Sequence, residues 1–199
     1  MQIIRFENSF LNSNSYLVEL GDNLILIDPS NDDLFLELIT KLRYKKSYIF
    51  LTHEHVDHIL GIVKLKELYF DIVIVATEQT SNSIISPKKN LSIFHGFEFI
   101  GVKADISIVE NCKIEIGSTK VNLFPCKGHS VGGMFISINN VLFTGDEFIF
   151  ELRTVTKLPG GIKNELIKSY EFLISNFDRN TILYPGHGKE FLLEELKIW

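Results

Sequence analysis

Thr52-His53-Glu54-His55-Val56-Asp57-His58 is the stretch on which the reading of this chain turns, because it places His53, His55, Asp57 and His58 within six residues. Imidazole nitrogen and carboxylate oxygen are the donors that suit zinc, manganese or non-haem iron. The run follows Ser47-Tyr48-Ile49-Phe50-Leu51, an apolar stretch that reads as a buried strand. It leads into Ile59-Leu60-Gly61-Ile62-Val63-Lys64-Leu65, whose spacing suits a helix. The four donors therefore fall on a strand-to-helix turn, where a sheet can hold several side chains around one point. A lone histidine is usually a satisfied core or surface residue. Three with an aspartate at this density point to a metal.

Three histidines lie outside the run. His129 stands in Lys127-Gly128-His129-Ser130, after the strand-like Lys120-Val121-Asn122-Leu123-Phe124. His187 stands in Tyr184-Pro185-Gly186-His187-Gly188, after Thr181-Ile182-Leu183. Between them, Val141-Leu142-Phe143-Thr144-Gly145-Asp146 ends an apolar run with an acid. Each of these candidates follows a strand and stands beside a glycine, where backbone can turn sharply near an ion. His95 has no such setting and reads as an ordinary loop or surface residue.

His-x-His-x-Asp-His, followed in order by Gly-His-Ser, Thr-Gly-Asp and Pro-Gly-His, resembles the metallo-β-lactamase-fold hydrolases, and within them the small glyoxalase II-like branch. Asn14-Ser15-Tyr16-Leu17-Val18, Leu24-Ile25-Leu26-Ile27-Asp28-Pro29 and Leu158-Pro159-Gly160-Gly161 extend the likeness over nearly the whole chain. The resemblance implies an α+β fold, the four-layer αββα sandwich, in a single domain over residues 1–199. It also implies two divalent metal ions, zinc first, with iron or manganese as alternatives. One ion falls to His53, His55 and His129, the second to Asp57, His58 and His187, with Asp146 bridging them. In such a centre a hydroxide shared by the ions attacks the substrate carbonyl, and Asp57 orients it. Asp28 fits either a partner that orients a ligating histidine or a turn-forming residue before Pro29.

The same likeness shows where the chain departs. Thr154-Val155 stand where the branch usually carries Gly-Arg, Lys157 where it carries Asp, Glu147 where it carries a small residue, and Lys127 where it carries Pro. With Trp199 as the last residue, the helical glutathione-binding domain of longer relatives is expected to be missing. A smaller acidic thioester or ester is therefore the expected substrate, with glutathione thioesters poor ones. Arg153 is the candidate to grip an anionic acyl or leaving group through paired hydrogen bonds, or else a solvated surface residue. A mononuclear iron persulfide dioxygenase, which would use only His53, His129 and Asp146, is the alternative reaction. A phosphodiesterase or nuclease ranks behind both.

Composition fits a globular enzyme. The chain has 199 residues, is 45% apolar, and sets 20 Lys and Arg against 25 Asp and Glu for a net charge of −5. That charge disfavours nucleic acid as a partner. No apolar run approaches the ~20 residues that span a bilayer, and two cysteines give no disulfide framework, so a cytoplasmic location is expected. Oligomeric state is not legible. Cys126 reads as a buried apolar thiol.

Strand-like runs fall at 2–6, 15–20, 23–28, 47–52, 72–76, 105–109, 113–117, 120–125, 133–138, 141–145 and 181–184. Amphipathic helices are expected over 32–42, 162–177 and 189–199. Leu91-Ser92-Ile93-Phe94-His95-Gly96-Phe97-Glu98-Phe99-Ile100 reads as a half-buried strand or hairpin arm, or else as an apolar flap over the metal mouth or a dimer contact.

Overall fold

Parity governs the first sheet. In the computed structural model, which describes residues 1–69 and 71–197, six strands lie in chain order: β1 (Gln2–Glu7), β2 (Asn14–Leu20), β3 (Asn23–Ile27), β4 (Lys46–Phe50), β5 (Val73–Thr77) and β6 (Ile106–Ile108). The first three pair antiparallel and the rest parallel. Successive residues of a strand point to opposite faces. Tyr16, Val18, Ile25, Ile27, Phe50 and Val75 accordingly join one buried cluster, while Leu17, Leu24, Leu26, Ile49 and Ile74 join another. Both faces are covered, which is why these strands read as unbroken apolar runs.

The second sheet runs β12-β11-β10-β9-β8-β7. It comprises β7 (Cys112–Ile116), β8 (Thr119–Pro125), β9 (Met134–Ile138), β10 (Val141–Gly145), β11 (Ile182–Pro185) and β12 (Phe191–Leu192). Val121, Leu123, Met134, Ile136 and Phe143 pack against the first sheet. Phe135, Leu142 and Leu183 face outward. Four helices complete the layers: α1 (Asp33–Lys41), α2 (Ile62–Leu68), α3 (Glu78–Ser83) and α4 (Lys163–Asn176). Phe35 and Ile39 of α1 and Ile62 and Leu65 of α2 cover the first sheet, and Leu173 of α4 covers the second. Helix, sheet, sheet, helix is the expected αββα sandwich.

Two expectations need correction, and one helix is additional. The helix expected over 189–199 is absent from its described part: Phe191 and Leu192 pair with Leu183 and Ile182, and a 3-10 turn follows at Leu193–Glu195. The open edge of β11 captures the segment, and Phe191 and Leu193 bury in the outer core. Residues 198–199 lie outside the described residues. Phe97 and Phe99 are not in a strand either. Asn90 bonds Ile84 O and Phe99 O, and Ser92 Oγ accepts from Phe99 N. Side chains thus take the place of a ladder, around a 3-10 turn at Ser92–His95. Finally α3, which has no apolar periodicity, was not expected; Thr77 caps it by accepting from Thr80 N.

The sheets meet at one edge. Met134 N donates to Thr52 O at 2.8 Å, and Asn14 N donates to Gly186 O at 2.6 Å. The segments that follow β3, β4, β10 and β11 converge there. Carboxyl ends of strands are where α/β sheets hold ligands.

Candidate metal centre

Each predicted metal ligand arrives at this edge. His53, His55, Asp57, His58 and His129 are buried, and Asp146 and His187 are partly so. Their donor atoms form close groups: His53 with His55 and His129, and Asp57 with His58 and His187. Asp146 lies between the groups. Its Oδ1 is 3.5 Å from His58 Nε2, and its Oδ2 is 3.4 Å from His187 Nε2 and 3.7 Å from His129 Nε2. Asp57 Oδ2 is 3.3 Å from both His58 Nε2 and His187 Nε2. Glu54, inside the same run, turns away to accept from Ser130 Oγ and Thr80 Oγ1.

Neighbours fix the tautomers. His58 Nδ1 is 3.0 Å from Asp28 Oδ2, His129 Nδ1 2.9 Å from Val155 O, and His187 Nδ1 3.2 Å from Asn12 O. An oxygen of this kind only accepts, so each imidazole holds a proton on Nδ1 and turns Nε2 towards the donor groups. Thr52 Oγ1 donates to Asp28 and so accepts from His53 Nδ1 at 3.1 Å, which gives His53 the same tautomer. His55 is turned round, with its Nδ1 2.9 Å from His129 Nε2.

Burial with crowded neighbours sets the charges. Burial, with neighbouring His58 and His55, holds His53 well below the usual imidazole range. Burial and His129 push His55 down to about 3, and burial lowers His129. Three neutral imidazoles therefore offer lone pairs. Burial works to raise Asp57 and Asp146, but His58 and His187 outweigh it and keep both below the usual carboxylate range. Burial opposes protonation of His187, yet bonds to Asp146 and Asp57 lift it to about 9.

This donor set fits divalent cations. His53 Nε2, His58 Nε2 and Asp146 Oδ1 are buried without any hydrogen-bond partner among the described residues. Buried polar atoms ordinarily have partners, and lone pairs converging on two carboxylates are the arrangement a cation relieves.

Local sequence explains the convergence. Asn14 Nδ2 donates to Pro185 O and Gly188 O, and Tyr16 OH donates to Pro185 O, which ties down the loop carrying His187. Ser13 Oγ donates to Asp57 O. Glu147 was noted in the sequence only as a departure. It is buried, and its Oε2 accepts from His129 N at 2.8 Å. Burial pushes its carboxyl up to about 7, against the pull of that bond. The acid that replaces a small residue thus braces the backbone where Lys127 replaces Pro.

Two residues are placed elsewhere. Arg153 is exposed and lines a separate depression with Thr154 and Lys163, so the structure does not bring it to the metal ligands. His95 is exposed and outside the ligand groups, as read from sequence, but it also lines the cavity above them.

Two sheets packed back to back, with imidazoles and carboxylates gathered at their shared edge, define the class of αββα sandwich proteins with a metal centre at the strand ends. Within that class, the chain belongs to the metallo-beta-lactamase superfamily, whose family profile matches residues 8–187. A hydroxyacylglutathione hydrolase of Francisella tularensis subsp. tularensis is 31% identical over 195 residues, covering 94% of this chain and 68% of that one. Among solved structures, the BLEG-1 B3 metallo-beta-lactamase superposes with a TM-score of 0.89 at 22% identity, covering 98% of this chain and 95% of that one, a likeness of fold. TTHA1623, solved in a di-iron-bound form, superposes with a TM-score of 0.80 at 25% identity, covering 96% and 95%.

Proposed function

We propose that this chain is a metal-dependent hydrolase that cleaves a thioester or ester of a small molecule. The observation that carries this reading is the pair of donor groups joined by Asp146, with unpartnered buried donors aimed between them. His53, His55 and His129 would hold one divalent cation, and Asp57, His58 and His187 the other, with Asp146 shared. Zinc suits the histidine-rich set, and iron or manganese would also fit. The relative named as a hydroxyacylglutathione hydrolase and the neighbour in a di-iron-bound form support a hydrolytic, dinuclear reading. Bound cations supply Lewis acidity and make water a nucleophile near neutral pH.

The chain's own residues do the rest. Asp57 presents Oδ2 between His58 and His187 as an ionised carboxylate. A carboxylate held so far below neutrality orients a water proton and does not store it. Asp28, Val155 O and Asn12 O keep the rings of His58, His129 and His187 aimed, which reduces the reorganisation that turnover requires. We take the chain as one domain, and place it in a reducing, cytoplasmic setting on the strength of its unpaired Cys112 and Cys126. No helix among the described residues is long and apolar enough to cross a membrane.

The test is reconstitution. Chelated protein is reloaded with zinc, manganese or iron, and thiol release from a thioester panel is followed. The expected result is hydrolysis with two equivalents of metal. Oxygen consumption on a persulfide by protein holding one iron, without thioester cleavage, would overturn the reading in favour of the dioxygenase alternative.

A further inference from the structure

We infer that the cavity over the metal centre selects an uncharged, apolar acyl or leaving group, such as an aryl ring or a medium-length alkyl chain, over the carboxylates of a glutathione or dicarboxylic thioester. The inference rests on the hydrolytic reading for what happens to the occupant, and on the cavity for what the occupant is. The cavity holds about 440 Å³, within the range of small-molecule sites. Beside the metal ligands and Val56, its wall is Leu11, Leu91, Phe94, Val155, Leu158 and Pro159, with His95 among them. No Lys or Arg is among its described lining residues. A carboxylate seated against this wall, away from the metal ligands, would lose water without gaining a cationic side-chain partner.

Apolar side chains are exposed around this mouth. Phe94 is 65% exposed, Val155 51%, Leu11 46% and Leu158 40%. Single exposed apolar residues are ordinary, but a ring of them around one opening marks a binding site. The backbone is bent to build it. Leu11 and Leu91 have φ of 57° and 66°, in the left-handed region that branched side chains rarely occupy. Such strain persists where the surroundings enforce it, often at ligand clamps. Phe10, beside Leu11, packs edge-on against His95 at 5.4 Å and Phe97 at 5.7 Å, so the two segments that carry Leu11 and Leu91 are in contact.

The wall is also tied to the ligands. Val155 O receives His129 Nδ1, and Asn12 O, next to Leu11, receives His187 Nδ1. An occupant gripped by Leu11 and Val155 is therefore held at a fixed offset from the donor groups. The expected anion grip by Arg153 has no place in this wall, since Arg153 faces a different depression.

The test uses metal-loaded protein and acetyl, hexanoyl, benzoyl and succinyl thioesters of N-acetylcysteamine, with hexanoylglutathione beside them. The hexanoyl and benzoyl members should exceed the acetyl and succinyl members by about tenfold or more in kcat/KM, the scale on which apolar pockets discriminate. Phe94→Ala and Leu158→Ala should each cut that preference several-fold. In calorimetry, the non-cleavable S-hexyl thioether of N-acetylcysteamine should bind more tightly than S-hexylglutathione. Turnover that favours the succinyl or glutathione members, or failure of the neutral thioether to bind, overturns the inference. Tight thioether binding with no member hydrolysed supports the pocket and overturns the hydrolytic reading instead.

Discussion

Asp28 and His58, thirty residues apart in sequence, are joined by a contact of 3.0 Å between Oδ2 and Nδ1, with the Asp28 carboxylate also accepting from Thr52 N at 2.7 Å. Asp28 itself sits at φ 49°, a conformation aspartate tolerates better than most residues. The carboxylate therefore sets the tautomer of one predicted ligand and, through Thr52, of a second, His53. That resolves the two readings of Asp28 in favour of an orienting partner.

Asp28→Asn should keep the shape and lose the charge. Removing such a partner ordinarily costs about 10–100-fold in metal affinity. Competition with a chromophoric chelator should show that loss at the site holding His58. An unchanged affinity would mean that Asp28 serves only the turn.

Asp146 stands within 3.4–3.7 Å of nitrogens from both donor groups. Asp146→Ala should reduce metal from two equivalents towards one and abolish turnover, because the remaining imidazoles no longer share a negative charge. Elemental analysis of reconstituted protein measures the stoichiometry. Full activity at one equivalent would sink the dinuclear reading.

The strands and the cluster of candidate donors at His53–His58 were legible because both are written locally, while the place of His129, Asp146 and His187 came from the family resemblance. Runs such as Leu24–Ile27 are apolar at every position, and His53, His55, Asp57 and His58 share one turn. Non-local determinants were not legible. β12 exists because β11 offers an open edge, and α3 because Thr77 supplies a cap, neither of which leaves an apolar period. The cavity wall is assembled from residues 11, 91–95 and 155–159, which no single stretch advertises. Arg153 was read by its place in a motif, whereas its side chain follows the fold to another face.

Gly186 explains the Pro-Gly-His pattern at the last ligand. A Cβ added there would overlap Asp146 Oδ1 and come within 2.8 Å of His58 Cε1. Neither group can yield without leaving its place in the donor set. Gly186→Ala should therefore lower metal content as well as stability, by about 1–3 kcal/mol as overpacking generally does. Chelator competition and thermal melts of the metal-free protein separate the two effects. Loss of stability with intact metal affinity would show that the loop moves as a unit away from the centre.

His95 tests the boundary between the centre and the cavity above it. It lies outside the donor groups, yet its ring meets Phe10 edge-on at 5.4 Å and lines the cavity. His95→Ala should leave metal content unchanged, because the ring is outside the donor groups. The contact with Phe10 should be lost, at a cost of about 0.5–1.5 kcal/mol for an aromatic pair, and KM for apolar substrates should rise while kcat changes little. His95→Phe should restore KM, since the contact needs a ring and not a proton. Metal analysis with steady-state kinetics on the three proteins checks this. A loss of metal comparable with that of His129→Ala would show that the ligand list is incomplete, and failure of the phenylalanine to rescue KM would assign the imidazole a polar role at the mouth.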